Sequence, residues 1–97
     1  MKNGVTETGF EYEFDERNLD DMRFVDILTV VVDDNSSILD KLSGISKLLT
    51  MLLGDEQKKR LYEHIGKSYD GRVPREALEN ALEQIMNGAG KDAEKNC

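Results

Sequence analysis

Tryptophan is absent from this chain, and cysteine, proline and histidine each occur once. The lone cysteine, Cys97, has no partner with which to staple the fold or build a thiolate metal site. No stretch approaches the roughly 20 apolar residues that a membrane span needs. The start of the chain, Met1 to Glu7, carries one basic residue and no apolar signal core, so secretion is not expected and the chain reads as cytoplasmic. Only six residues are aromatic, three Phe and three Tyr. A surplus of cationic charge is missing as well, and with it the basic face that phosphate neutralisation requires, so no nucleic-acid partner is expected.

The charge that is present is acidic and unevenly placed. The net charge is −7, with 38% hydrophobic and 34% charged residues over 97 positions, a normal balance for one small soluble or self-associating domain. Through Asn35 the chain carries ten acids and three bases, whereas from Ser36 onward acids and bases number ten each. All the excess negative charge therefore falls in the first third. That asymmetry suits a basic protein partner steered by complementary charge, and it serves equally as a solubilising face.

Hydrophobic periodicity divides the chain. Residues 1–8 are polar and aperiodic and are expected to be a flexible lead-in. Phe10, Tyr12 and Phe14 alternate with Glu11 and Glu13, a period-two strand signal whose pairing strand is not evident. Leu19, Met22, Val25, Leu28 and Val32 follow at near-helical spacing, with Asp20 and Asp21 suited to a first turn, although Val30-Val31-Val32 leans toward strand by propensity. Ser36 or Ser37, with Asp40, can cap a central helix carrying Ile38, Leu39, Leu42, Ile45, Leu48, Leu49, Leu52 and Leu53 up to Gly54. A third helix is expected from Asp55 to about Ser68 and a fourth from Pro74, with Ala77, Leu78, Ala81, Leu82, Ile85 and Met86 as its stripe, stopping at Gly88-Ala89-Gly90. The expectation is a mainly α fold, a small bundle of about four helices with a short N-terminal β-strand. Its domain would span residues 9–87, with a flexible tail over 88–97.

No residue pattern carries chemistry. Aligning Gly71 with the central glycine of a calcium loop puts Gly66 first and Ala77 twelfth, and neither supplies the carboxylate calcium requires. His64 stands beside Arg60 and Lys67 on a helix, with no activated nucleophile to serve. Asp20-Asp21 and Asp33-Asp34 are adjacent pairs, which diverge on a helix and suit capping better than acid–base work. No phosphate-binding glycine loop is present. The chain is therefore expected to be no enzyme and to hold no metal or cofactor. The central stripe is wider than one neighbour covers in so short a chain, so part of it is expected to face a partner, and Leu42, Ile45, Leu49, Leu52 and Leu53 are the candidate partner-binding residues.

The order of these segments resembles a known family. An aromatic acidic strand (Phe10-Glu11-Tyr12-Glu13-Phe14) leads to Leu19-Asp20-Asp21-Met22-Arg23-Phe24-Val25-Asp26-Ile27-Leu28. The Leu-rich helix then ends in Leu48-Leu49-Thr50-Met51-Leu52-Leu53-Gly54-Asp55-Glu56-Gln57, and Tyr69-Asp70-Gly71-Arg72-Val73-Pro74 precedes the closing helix. Over residues 10–87 the chain resembles the tail assembly chaperones of long-tailed, non-contractile bacteriophages. The resemblance implies a non-enzymatic, self-associating protein of the bacterial host's cytoplasm that coats the tape measure protein and keeps it soluble until the tail tube polymerises. It also implies a longer frameshifted form diverging near the tail at residues 88–97. The alternative is a small acidic regulator or adaptor that binds a basic, DNA-binding protein by imitating nucleic-acid charge.

Overall fold

The computed structural model describes the backbone of residues 1–95 and the side chains of residues 1–88. It is mainly helical. Two short strands, β1 (Lys2–Val5) and β2 (Glu11–Phe14), form an antiparallel hairpin; a 3-10 turn (Glu16–Asp20) leads to α1 (Met22–Val32), α2 (Ile38–Gly66) and α3 (Arg75–Lys95).

The described residues thus hold three helices where about four were expected. The second and third expected helices are one element, α2, whose backbone is broken at Gly54 (φ 81°, ψ 167°). A positive φ is open to glycine and strained for other residues, so the local conformation explains the residue. Side chains from the far half bridge the break. The Gln57 amide donates to the Leu53 carbonyl at 2.8 Å, and the Lys58 ammonium donates to Ser46 Oγ at 2.7 Å and Thr50 Oγ1 at 2.9 Å.

The N-terminus also departs from expectation. Residues 2–5 form the strand that pairs with the aromatic strand, rather than a flexible lead-in. Asn and Gly are depleted in strands, so Lys2-Asn3-Gly4-Val5 gives no strand signal. The hairpin exists because Phe10, Tyr12 and Phe14 are all buried, and β1 satisfies the inner edge of the strand that carries them. The Tyr12 ring lies over Gly4, where a side chain on residue 4 would begin.

Helix ends follow their caps. The Asp15 and Asp21 carboxylates accept from the amides of Arg17 and Arg23, opening the 3-10 turn and α1. The second cap sets α1 to begin at Met22 and leaves Leu19 in the 3-10 turn, not in the long helix. Residues 24–32 are helical, as periodicity rather than β-propensity indicated. Ser37 Oγ accepts from the Asp40 amide at 3.1 Å to open α2. Pro74 sits just before α3, and its carbonyl accepts from the Leu78 amide. α3 does not stop at Gly88, since helix continues to Lys95. Gly88 serves close approach instead: a Cβ there would lie 2.6 Å from Tyr12 Oη. Of the expected tail, residues 96–97 lie outside the described residues.

One core joins these elements. Phe14, Phe24, Ile45, Leu48, Leu49, Leu61 and Ile85 are its largest fully buried side chains, drawn from β2 and all three helices. α1 lies against the first half of α2, where Gly44 admits Val31 and Ile27 at close range.

Candidate protein-binding surface

The five candidate partner-binding residues divide sharply. Ile45, Leu49, Leu52 and Leu53 are buried within this chain, between 0% and 6% exposed, and only Leu42 is open, at 38%. The expected groove over 42–53 is therefore filled by the chain's own elements. Its breadth is accounted for by several neighbours at once, because α1, β2, α3 and the 3-10 turn all pack on α2. The Asn18 amide, donating to the Met51 carbonyl at 3.1 Å, ties the turn to that region.

The apolar stripe does, however, run past its cover. Ile38, Leu42, Ile45 and Leu49 are spaced i, i+4, i+7, i+11 and share one face of α2. The hairpin and α3 close over the later part of that face. At the N-terminal end none of the described residues does: Ile38 is 51% exposed and its neighbour Leu39 73%. Val30 and Val32, at the end of α1 across the short connection, are also exposed. Five aliphatic side chains thus stand in solvent around the α1–α2 tip, a concentration that single scattered apolar residues do not produce.

Carboxylates surround that tip. Asp33, Asp34 and Asp40 are all exposed, beside the half-buried Lys41, and Asp26 is exposed further back along α1. At the other end of α1 the Arg23 guanidinium lies 2.9 Å from Asp21. It holds the Asp21 carboxyl below its ordinary range by side-chain and then backbone hydrogen bonds. The same device appears six residues earlier, where Arg17 grips Asp15 at 2.6 Å and lowers its pKa from 3.8 to about 2. Each aspartate caps a helical turn and binds the arginine two residues on, so these two cations are spent on local structure.

His64 is a structural residue. Its Nε2 lies 2.9 Å from Thr8 Oγ1, and its ring stands 5.7 Å from that of Phe10, fixing the hairpin loop onto the second half of α2. The loop is held from the other side by the Glu7 amide donating to Gln84 Oε1 of α3 at 2.8 Å. A cleft of about 200 Å³ between these elements, lined by Thr8, His64, Ser68 and Asn80 together with Leu61 and Ile65, assembles no nucleophile–base pair. Among the described residues no group of three His, Cys, Asp or Glu side chains could hold a metal ion, and no helix is long and apolar enough to cross a membrane.

No family model matches the chain, and no curated protein or solved structure matches it either. The chain's own residues therefore carry the functional reading. Of the candidate residues, Ile45, Leu49, Leu52 and Leu53 are used in the chain's own core and Leu42 alone stays open. Leu39 was visible as an apolar residue beside the stripe, but which end of the stripe lacks a cover depends on tertiary packing alone.

Proposed function

We propose that this chain is a non-catalytic, self-associating protein-binding chaperone, acting as the tail assembly chaperones it resembles do. It would hold a tape measure protein soluble during tail assembly in the cytoplasm of a bacterial host. The observation that carries this reading is the uncovered end of the α2 stripe, Ile38, Leu39 and Leu42 with Val32 beside them, rimmed by exposed carboxylates. A surface of this kind suits the apolar face of an amphipathic helix whose flanks are basic. Long helical clients of that type aggregate when bare, and covering their apolar faces keeps them in solution.

The test is co-expression of the tagged chain with a candidate tape measure protein, scoring client solubility and co-purification. Leu39→Asp adds a charge at a position 73% exposed and should change stability by no more than about 0.5 kcal/mol. It should nevertheless abolish client recovery. Leu49→Asp is the contrasting variant: a carboxylate at a fully buried position should unfold the chain outright, so its loss of binding carries no information. Client recovery undiminished by Leu39→Asp would remove the tip from the reading.

The exposed acids around the tip favour one second reading, an acidic regulator of a basic protein. A complex formed with a DNA-binding protein, dissolved by moderate salt and indifferent to Leu39→Asp, would select it.

A further inference from the structure

We infer that the free edge of β1 pairs, antiparallel and about a two-fold axis, with β1 of a second copy of this chain, joining two hairpins into one four-stranded sheet. The inference is independent of the client and of the α1–α2 tip.

It starts from the hydrogen-bond phase of the hairpin. The Thr6 amide donates to the Phe10 carbonyl at 2.9 Å, and the register sets Gly4 opposite Tyr12 and Lys2 opposite Phe14. In an antiparallel pair only alternate residue pairs exchange bonds. Thr6, Gly4 and Lys2 therefore point their backbone groups inward, while Asn3, Val5, Glu11 and Glu13 point theirs away from the hairpin. β2 bears this out, since the Glu13 amide donates to Gln57 Oε1 at 2.8 Å and its carbonyl accepts from Gln57 Nε2 at 2.7 Å. One glutamine side chain thus closes that edge at Glu13, as a further strand would.

Among the described residues no side chain closes the outer edge of β1 in this way, and α3 packs on the hairpin near Gly4 and Tyr12. The outward amides and carbonyls of Asn3 and Val5 meet no partner among the described residues, and Val5 is 62% exposed. An exposed strand edge with an apolar side chain is a template for another strand. Its charges are arranged for a copy of itself. Pairing Asn3 with the partner's Val5, and Val5 with the partner's Asn3, makes four backbone bonds and centres the axis on Gly4. On the outer face each Val5 then neighbours the partner's Asn3, and Glu11 and Glu13 stand one strand further out, so no carboxylates oppose each other across the axis. Gly4 suits the centre because it brings no side chain to the closest approach. A two-stranded hairpin is marginal by itself, and four strands relieve that.

Amide hydrogen exchange on the full chain, with Cys97 kept reduced, tests the pairing at two protein concentrations. Protection of the Asn3 and Val5 amides should rise with concentration, while the Glu11 amide, outward on the other edge, should not change. Val5→Pro removes only outward donors, two per dimer, and leaves the hairpin's own ladder intact. It should raise the dimer dissociation constant about tenfold or more, with Gly4 and Tyr12 amides still protected to report an intact hairpin. Should Val5→Pro disturb the hairpin, the exchange of the unaltered chain decides alone. Concentration-independent exchange at Asn3 and Val5 up to about 1 mM would overturn the proposal. So would a dimer that Val5→Pro leaves unchanged, or protection of Val5 that appears only when a client is added.

Discussion

Two aspartates carry much of the local order in the acidic third. Asp15 and Asp21 each accept from a backbone amide at a helix start and each hold an arginine two residues ahead. Asp15 titrates at about 2 in the fold against an ordinary 3.8. A depressed carboxyl stabilises the folded state above its unfolded value, and that contribution disappears as pH falls through the folded one. Asp15→Asn should therefore lower stability at neutral pH, where that contribution is present in full, and flatten the loss of stability between pH 3.8 and about 2, as followed by circular dichroism. Asp21→Asn should act in the same direction. This much was half legible in the sequence: Asp20 and Asp21 marked a helix start, but the Asp-Xaa-Arg device at 15–17 and 21–23 was not evident, because the arginine's partner depends on how the cap turns the chain. His64 is another such case. The sequence showed a histidine on a helix, and the fold supplied Thr8 from 56 residues away.

Among the elements, helices were legible and glycines only in part: Gly54 marked the break in α2 and Gly71 the turn after it, whereas Gly4, Gly44 and Gly88 gave no sign of their contacts. Periodicity located α1 and both halves of α2, because burying an apolar face fixes a 3.6-residue repeat. β1 escaped because its place in the sheet follows from Gly4 fitting beneath Tyr12, a contact with no local signature. Gly88 was read as a helix stop when it makes room for that same tyrosine, and α3 runs on to Lys95. Gly44 teaches the same lesson between helices. A Cβ there would lie 2.6 Å from Val31 Cγ2, and valine in a helix has one strongly preferred rotamer with which to retreat. Glycine to alanine in a helix ordinarily gains about 1 kcal/mol. Here overpacking should outweigh that gain, so Gly44→Ala should lower stability by about 1 kcal/mol, measured by urea denaturation. A stabilised variant would mean that α1 slides away easily.

At the scale of the whole molecule, sequence and structure agree on a small, acidic, mainly helical body and part on where its apolar surface lies. The sequence showed a stripe too wide for one neighbour. Only the folded chain shows that its later half, Ile45 to Leu53, is fully used and its first turns are not. Charge asymmetry, by contrast, carried through: of the acids of the first third all but Asp15 and Asp21 are exposed, Asp33 and Asp34 among them at the α1–α2 tip. Association of that tip with a basic helix should weaken as ionic strength rises from low to physiological, while the β1 edge, joined by backbone groups, should respond far less. Sedimentation at two salt concentrations separates the two contacts.

The break at Gly54 also sets a limit on length. Twenty-nine residues of straight helix would reach about 43 Å, more than the 39 Å longest dimension of the chain. A residue that refuses positive φ, as in Gly54→Val, would favour the straight form and carry residues 55–66 away from the half they now fold against. Each half would then find its missing neighbours only in another molecule, which is the geometry of a domain swap. Gly54→Val should accordingly yield an interlocked dimer on refolding at high concentration, separable from monomer by size-exclusion chromatography. The single glycine is what keeps this fold's partners within one chain.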